Sequence, residues 1–530
     1  MTMKNYTDHV STKETPQAEK IPGSTQVPNN AGGYGWAVDD WTRLRRFLIL
    51  GSDGGTYYQD ARPLTKENAE AVIRCIKVDG ARTIAEIISV SLKGLAPKND
   101  PAIFALAAAS ALGDAPTRQS ALAAMPDVCR IGTHLFAFAE ARQAFGGWGR
   151  GMRRAVQNWY LQRSTDQLAL QLAKYQSRNG WSHRDLLRLA HPVVKDDEQK
   201  NALLGWAVGK AEPAATGHAL VTGMSEASAP GVDKRRVVQL ITDLNLTREM
   251  VATEYLADPD VQWALMQKQG LTALIRNLGN YSKSGLLKPL SEAAKFVAAR
   301  LSDEQALRKA RVHPFMVLLA ARTYASGHGV RGKGTWTTTP AVIDALDNAF
   351  YAAFENVEPT GKNFLLGIDI SGSMGWKSGD GMTSAEAAAA MAMTTLRTEA
   401  NCYAHGFATT FVDLKLSPKM RLPEVMERTS AHTMGGTDCA LPMIHALKHK
   451  LEVDTFVVYT DNETWFGKIH PKQALDEYRQ KMGRPARLVT CAFTAGEFTI
   501  ADPADAGMLD CVGRDASLPQ ILRSFALGEV

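Results

Sequence analysis

The sequence predicts a multidomain protein in which an all-α region of serial helices precedes an α/β domain with a doubly wound, parallel sheet. The chain has 530 residues, too many for one hydrophobic core. Apolar residues recur at helical spacing from about 35 to 355, whereas short apolar runs alternate with helix-like segments from 361 onward. The predicted parts are a disordered tail over 1–28, a helical-repeat domain over 29–360 and an α/β domain over 361–530.

The first 30 residues are polar and rich in Thr, Lys and Pro, as expected of a disordered tail. They have neither the apolar centre of a signal peptide nor the Arg-rich, acid-poor character of a transit peptide. No apolar run approaches the ~18 residues that a membrane helix needs. The six cysteines are scattered without a Cys-x-x-Cys pair, which argues against disulfides and zinc. A cytoplasmic protein is expected.

The helical region shows apolar stripes that are separated by short breaks. Ala69, Val72, Ile73 and Ile76 form one such stripe, and similar stripes return after breaks rich in Gly, Pro, Asn and Asp. We find no strict repeat, so the pattern favours a degenerate α-solenoid, which builds a long curved surface.

The positive charge of the chain lies in this first part. Residues 1–360 contain 43 Lys and Arg against 35 Asp and Glu, whereas residues 361–530 contain 17 against 20. A solvated lysine face is the common explanation of such an excess, and a surface that attracts nucleic acid is the alternative. The position of the basic side chains has to decide between them.

Several basic side chains fall in the stretch QLALQLAKYQSRNGWSHRDLLRLAHP. Lys174 and Arg178, four apart, are expected to share a face at the end of one helix, which Asn179-Gly180 ends. Ser182, with Asp185 three residues later, predicts the capped start of a second helix.

The second helix is expected to carry a row of basic groups at i, i+4 and i+7, and another group follows Trp148. These groups could form a solvated face, in which the helix dipole stabilises the cations of the last turn. Their concentration in a positively charged region favours phosphate contacts instead. The candidate phosphate-binding residues are Lys174, Arg178, Arg184, Arg188, His191, Arg150 and Arg154.

Four apolar segments after 361 are predicted to be buried parallel strands, and three helix-like segments separate them. Ligands of such sheets bind at the carboxyl ends of the strands. The strands are expected at 364–369, 402–407, 455–460 and 488–493, and the helices at 384–397, 438–450 and 471–482.

Oxygen-bearing side chains follow these strand ends. Asp369, Ser371 and Ser373 come after the first strand, Thr437 precedes a helix, and Asp461 follows the third strand. Two carboxylates and three hydroxyls, without His or Cys, suit an octahedral Mg²⁺ or Mn²⁺. The alternative is that Asp369 and the serines only cap a turn.

Two enzymatic alternatives are weaker. Ser373 lacks the glycine two positions earlier that a nucleophile elbow has, and His405 and His432 do not follow the order of a hydrolase triad. The segment GHGVRGKGT, residues 327–335, resembles a phosphate-binding P-loop, but its hydroxyl residue comes one position late and a helix-like segment precedes it.

The five-residue pattern Asp-x-Ser-x-Ser, Thr and Asp resembles the metal-ion-dependent adhesion site of von Willebrand factor A domains. The segments KYQSRNGWSHRDLLRLAHP, GGWGR, LIRNLGN, VRGKGTW and VYTDNETW resemble the Ro autoantigen (TROVE-domain) family and its bacterial relatives, over about 145–465. The resemblance implies a HEAT-like helical ring that binds a Y-like noncoding RNA on its outer surface and single-stranded 3′ ends in a central hole.

The resemblance also implies a monomeric ribonucleoprotein without enzymatic activity, acting in noncoding-RNA quality control, maturation or decay. An exoribonuclease such as polynucleotide phosphorylase would be its partner. Two alternatives remain open: a metal-dependent adhesion module that binds protein and no RNA, and a metal-dependent nuclease that uses Asp369 and Asp461.

Overall fold

The computed structural model describes residues 14–51, 69–329, 334–354, 357–376, 382–430, 435–494 and 496–529. The chain divides into two compact units, one helical and one α/β. The helical unit is Ala69–Ala353, and the α/β unit combines the N-terminal segment with the chain from Phe354 onward. The predicted order, a helical region followed by an α/β domain, is confirmed.

The N-terminal segment contains regular structure. Its elements are β1 (Val27–Pro28), β2 (Tyr34–Ala37) and α1 (Asp40–Leu50).

The described part of the helical unit is built from eighteen α-helices and one short hairpin. No helix in the described ranges is long and apolar enough to cross a membrane. The helices are α2 (Glu70–Val78), α3 (Gly80–Lys93), α4 (Asp100–Leu112), α5 (Ala115–Ala123), α6 (Met125–Val128), α7 (Gly132–Phe145), α8 (Arg150–Leu161), α9 (Thr165–Lys174), α10 (His183–Ala190), α11 (Glu198–Ala207), α12 (Ala219–Ala227), α13 (Lys234–Leu244), α14 (Pro259–Lys268), α15 (Leu271–Lys283), α16 (Glu292–Leu301), α17 (Glu304–Lys309), α18 (Pro314–Ala325) and α19 (Pro340–Ala352), and the hairpin strands are β3 (Ser177–Arg178) and β4 (Trp181–Ser182).

Local sequence explains where many of these helices begin and end. The Asp79 side chain accepts the backbone N–H of Arg82 at the start of α3, and Gly94 ends α3 in the left-handed conformation. Ser164 and Gln167 form a reciprocal capping box at the start of α9. The breaks between the predicted apolar stripes are therefore real helix boundaries.

Two distant parts of the helical unit touch. Nε2 of His313, the N-cap of α18, lies 3.1 Å from the carbonyl oxygen of Leu95, just after α3. A side chain added at Gly94 would lie against Arg311. The helical series thus returns to the neighbourhood of its beginning after more than 200 residues.

The α/β unit is built on a six-stranded sheet of order β11-β9-β8-β5-β6-β7, parallel except for the antiparallel edge strand β7. Helices separate most of the strands along the chain. The elements are β5 (Phe364–Asp369), α20 (Ser384–Thr398), β6 (Cys402–Phe407), β7 (Phe411–Asp413), α21 (Leu422–Ser430), α22 (Leu441–Lys448), β8 (Thr455–Thr460), α23 (Pro471–Met482), β9 (Arg487–Ala492), β10 (Phe498–Thr499), β11 (Met508–Val512) and α24 (Leu518–Leu527).

All four predicted strands occur in this sheet, the last one residue earlier than expected. β5 and β8 are buried at every position because helices cover both faces of the parallel sheet. The edge strands β7 and β11 were not predicted, since β7 has three residues and β11 contains Asp510 in its middle.

Residues 14–50 belong to the α/β unit, which differs from the predicted tail and from the predicted start of the helical domain at 29. β2 pairs with both β1 and β10. The buried Gln17 side chain donates to Asp438 Oδ1 at 2.6 Å, and the buried Arg46 guanidinium donates to Asp510 Oδ1 at 2.6 Å. The sequence marks neither contact, because the partners are more than 400 positions away, so Gln17 was assigned to the tail and Arg46 to the helical domain.

Candidate functional site

Asp369 is the last residue of β5, where the carboxyl ends of β5, β6 and β8 meet. Its side chain is fully buried. Oδ1 accepts the backbone N–H of Ser371 at 2.9 Å, and Oδ2 accepts the hydroxyl of Thr460, the last residue of β8, at 2.7 Å. The parallel sheet therefore places this carboxylate at the edge where ligands of such folds bind.

The hydroxyl groups of Ser371 and Ser373 link Asp369 to Asp461, the residue that follows the neighbouring strand β8. Their hydroxyl oxygens are 3.2 Å apart, and both side chains are buried. Ser373 lies in a single 3-10 turn, Gly372–Gly375, and hydrogen-bonds to the carboxylate of Asp461, the residue after β8. Four of the five predicted ligand residues thus lie in one buried hydrogen-bonded group.

The electrostatics of this group favour a cation. Burial, and secondly the charge of Asp461, raises the pKa of Asp369 to about 7. Burial also raises the pKa of Asp461. Asp461 Oδ2 is buried and has no hydrogen-bond partner in the described part of the chain. A hard divalent cation would supply the missing partner and offset the repulsion between the carboxylates, so the donor set fits Mg²⁺ or Mn²⁺.

Thr437 is buried on the loop before α22. Its carbonyl oxygen accepts the backbone N–H groups of Trp465 and Phe466, both at 3.1 Å, which brings its loop against the loop after β8. The position of its hydroxyl as a metal ligand stays a prediction. No three His, Cys, Asp or Glu side chains gather as a metal cluster in the described ranges, so the proposed set relies on hydroxyls beside its two carboxylates.

The N-terminal segment supports the loop after β8, a contact that the sequence did not indicate. Asn30 Nδ2 donates to Glu463 Oε1 at 2.9 Å, and the Ala31 backbone N–H donates to Glu463 Oε2 at 3.1 Å. Asn29 Nδ2 donates to the Thr464 carbonyl oxygen at 2.5 Å. Residues about 430 positions earlier therefore hold the loop that begins with Asp461.

The prediction that Lys174 and Arg178 share one face of a helix is wrong. α9 ends at Lys174, whereas Arg178 lies in β3 of the hairpin. Asn179 and Gly180 have φ values of 55° and 75°, which an Asn-Gly hairpin turn requires, so the chain turns back where a helix end was predicted. Arg178 is exposed and its ion pair with Asp100 is 3.8 Å long, a weak contact that leaves the guanidinium accessible.

α10 begins with the predicted cap, since Ser182 and Asp185 form a reciprocal capping box. Arg184 and Arg188 are exposed on this helix, one turn apart. His191 is exposed but follows the helix end with φ of 50°, so it does not continue the helical row that the sequence predicted.

Arg150 and Arg154 are exposed on the first turns of α8. α8 packs against α10, and the rings of Trp148 and Trp181 lie 5.6 Å apart, which joins the start of α8 to the hairpin. The candidate phosphate-binding residues therefore lie on adjacent elements of one unit. We call this set, as defined from the sequence above, the basic set.

A buried aromatic cluster supports these elements. His183, the first residue of α10, is buried against Phe136 and Trp159. Its Nδ1 lies 2.8 Å from the Tyr160 hydroxyl, and its Nε2 lies 3.2 Å from the Gln171 carbonyl oxygen. Burial lowers the pKa of His183 to about 4. This neutral histidine is a structural contact between α8, α9 and α10.

The enzymatic alternatives gain no support. His405 stacks on Phe411 with a ring separation of 4.8 Å, an arrangement within the sheet and not next to Ser373 in any described contact. His432 lies outside the described residues. Residues 330–333 of the P-loop-like segment also lie outside them, and α18 precedes this segment where a P-loop needs a strand.

Comparison with known proteins gives consistent matches over the whole chain. The TROVE domain family model matches residues 27–219 and 242–323, and the Ro60 vWA domain model matches 363–526. The chain is 43% identical to the RNA-binding protein RO60 of Deinococcus radiodurans, with 100% of each chain covered. It is 33% identical to the RNA-binding protein RO60 of Caenorhabditis elegans, covering 97% of this chain and 92% of that protein.

A solved structure is also similar. The crystal structure of the Deinococcus radiodurans RO (RSR) protein aligns with a TM-score of 0.70 at 43% identity, covering 93% of this chain and 100% of that one.

Proposed function

The chain belongs to the Ro60 family of RNA-binding proteins, and we propose on this premise that it holds a structured, Y-like noncoding RNA on the basic set of its helical unit. The observation that carries the proposal is the presentation of exposed cations on a rigid support. Arg178 projects from a hairpin, Arg184 and Arg188 from a capped helix, and the buried His183 cluster holds these elements together.

Phosphate recognition explains this arrangement better than a merely solvated face. Guanidinium groups bind phosphate oxygens through two parallel hydrogen bonds, and rigid elements limit the entropy that binding costs. A solvated face would need neither the tight hairpin turn nor the Trp148–Trp181 contact beside it.

Single-stranded RNA ends form the second part of the proposal. The contact between His313 and Leu95 brings the later helices back to the early ones, as a closed helical series requires. A hole enclosed by such a series would admit a flexible single strand and exclude a duplex. We infer that 3′ ends of misfolded or structured RNAs are bound there.

The protein would act as a scaffold in noncoding-RNA quality control, maturation or decay, and would not cleave RNA itself. An exoribonuclease such as polynucleotide phosphorylase, tethered directly or through the bound RNA, would carry out degradation. The Asp369–Asp461 site would hold one divalent cation, and two-metal phosphodiester cleavage is not built from a single hydroxyl-rich site.

The test replaces Lys174 and Arg178 together by Ala and measures binding to a structured RNA over a range of salt concentrations. We expect weaker binding and a log–log salt slope that is flatter by roughly 0.7–0.9 for each phosphate contact removed. Arg308→Ala/Lys309→Ala is the matched control, because both side chains are exposed on α17 and the change in charge is the same. Equal affinities for the two double variants would place the RNA elsewhere.

A further inference from the structure

A cleft of about 600 Å³ opens between α5, α7 and α8 of the helical unit. This volume is within the range of sites that bind small molecules or single residues of a polymer. One part of its lining is apolar, formed by Leu122, Ala123, Met152 and Ala155.

Three arginines, Arg118 from α5, Arg142 from α7 and Arg154 from α8, line the same cleft. The described lining contains no aspartate or glutamate. Arg118 Nη1 donates to the Gly113 carbonyl oxygen at 2.9 Å, which fixes the direction of that side chain. Burial, and secondly the charge of Arg118, lowers the pKa of Arg142, in keeping with the place of both residues in the lining of the cleft. A group of like charges attracts an anion, and Asp114 offsets only part of the charge here, through Arg118.

Arg142 also has guanidinium nitrogens that lack a hydrogen-bond partner among the described residues. They are Nε and Nη1, and both atoms are buried. Buried polar groups in proteins nearly always have a partner, and an unpaired one is often satisfied by a bound water or ion. An anionic oxygen in the cleft would supply a partner to one of these nitrogens, whose hydrogens point to different edges of the guanidinium group.

The start of α8 adds donors to this cleft. α8 has no side-chain N-cap and no acidic residue in its first turn, and its first backbone hydrogen bond runs from Arg153 N to the Gly149 carbonyl oxygen. The N–H groups before Arg153 therefore have no acceptor within the helix. Gly149 and Gly151 both line the cleft and leave the backbone uncovered. The helix dipole favours an anion at this point.

We propose that this arginine cleft binds the terminal phosphate of an RNA strand, with the end nucleotide against the apolar side. A terminal phosphate carries close to two negative charges at neutral pH, whereas an internal phosphodiester carries one, so the end group balances three arginines better. The inference rests on the proposed function, because it assumes that RNA is the polymer bound. The Trp148–Trp181 contact connects the cleft rim at Gly149 with the hairpin of the basic set.

The test compares three otherwise identical short single-stranded RNAs, internally labelled: one with a 5′ phosphate, one with a 3′ phosphate and one with hydroxyls at both ends. At fixed ionic strength, fluorescence anisotropy should show one phosphorylated RNA binding roughly five- to tenfold tighter than the hydroxyl RNA, and that RNA identifies the end recognised. Arg142→Met and Arg118→Gln, tested singly, should reduce this preference to less than about twofold while retaining affinity for the hydroxyl RNA, since neither residue belongs to the basic set.

Arg153→Gln is the matched control, because Arg153 is exposed on α8 and does not line the cleft. It should keep the preference for the phosphorylated end. Equal binding of all three RNAs, or an equal loss of preference in Arg153→Gln, overturns the inference and leaves the proposed function standing.

A second measurement does not depend on RNA. Adenosine monophosphate should raise the melting temperature of the wild-type protein more than adenosine does, and Arg142→Met should abolish the difference. If no RNA binds at all, the proposed function fails, and this melting experiment still decides the cleft: a phosphate-dependent shift supports an anion site, and no shift overturns it.

Discussion

At the residue scale, the features that matter most are buried groups whose charge or hydrogen bonds need a partner. Asp461 Oδ2 has none in the described chain, and Asp369 lies beside it. Leaving two carboxylates together in a dry site is unfavourable, so this part of the α/β unit should gain stability from a bound cation.

Asp369→Asn should abolish binding of Mg²⁺ or Mn²⁺ because it removes half of the carboxylate charge of the site. Calorimetry should detect divalent binding to the wild-type protein only, and Mg²⁺ at ~100 times its Kd should stabilise the wild type by about 2.7 kcal/mol and the variant not at all. RNA affinity should stay nearly unchanged, since the basic set belongs to the helical unit.

Asp413→Asn is the matched control, an exposed carboxylate of the same sheet whose amide can still accept the Lys415 N–H. If the control lost metal binding too, or if Asp369→Asn kept it, the assignment of the site would be wrong.

His183 and His134 make the helical unit sensitive to acid. Burial lowers the pKa of each to about 4 from 6.5. Below pH 6.5 the unfolded chain binds protons that the folded chain does not, so the stabilising contribution is complete above pH 6.5 and is lost as the pH falls towards 4. The expected loss is about 1.4 kcal/mol per pH unit for each histidine.

Urea denaturation followed by circular dichroism, at several pH values between 7 and 4.5, measures this loss. His183→Gln should lower the free energy of unfolding at pH 7 and reduce its pH dependence, and His134→Gln should reduce the pH dependence by a similar share. A pH dependence that neither variant alters would assign the acid sensitivity to other groups.

At the element scale, the hairpin of β3 and β4 decides where Arg178 points. The helical pattern before it led to the wrong prediction, although Asn179-Gly180 is a strong sequence signal for a two-residue hairpin loop. The positive φ values of both residues leave little choice of amino acid at the turn. The short strands on either side give weak periodicity, so the helical signal of α9 dominated the prediction.

Gly180→Val should weaken binding of a structured RNA by several-fold, because a β-branched residue strains the turn by more than ~1–2 kcal/mol and displaces Arg178. Filter binding or anisotropy measures the affinity. Gly209→Val is the matched control: Gly209 also has a positive φ, of 77°, with open space around it, in the same unit. A similar loss of affinity in both variants would attribute the effect to general destabilisation.

At the scale of the whole molecule, the helical series is the feature with the largest functional consequence. The sequence predicted a ring only through family resemblance, and the His313–Leu95 contact is the observation within the helical unit that agrees with closure. Closure matters because a hole selects RNA by width, whereas an open arc selects mainly by charge.

RNAs with single-stranded 3′ tails should therefore compete better for the protein than blunt duplexes of equal total charge. Charge density alone predicts the opposite, since a duplex has the denser charge. The measurement is a competition at fixed ionic strength between a tailed and a blunt RNA with the same structured part. Equal affinities would contradict the binding of ends in a hole and leave binding on the basic set unaffected.

The sequence by itself determined the features that depend on local pattern. The order of the two regions, the buried strands β5 and β8 with Asp369 and Asp461 at their ends, and the capped start of α10 at Ser182 all follow from periodicity and from side chains a few residues apart. A single sequence is enough to show such signals, because the residues that create them are neighbours along the chain.

Only the tertiary structure decided which distant residues meet. Gln17 contacts Asp438, Arg46 pairs with Asp510, and the arginine cleft combines three helices, yet none of these partners is marked by spacing in the sequence. Burial of a polar side chain is stable only when a partner satisfies it, and that partner can lie anywhere in the chain. Residues up to 28 were therefore predicted as a tail and residues 29–50 as the start of the helical domain, because the partners that bury their polar side chains lie far away in the sequence.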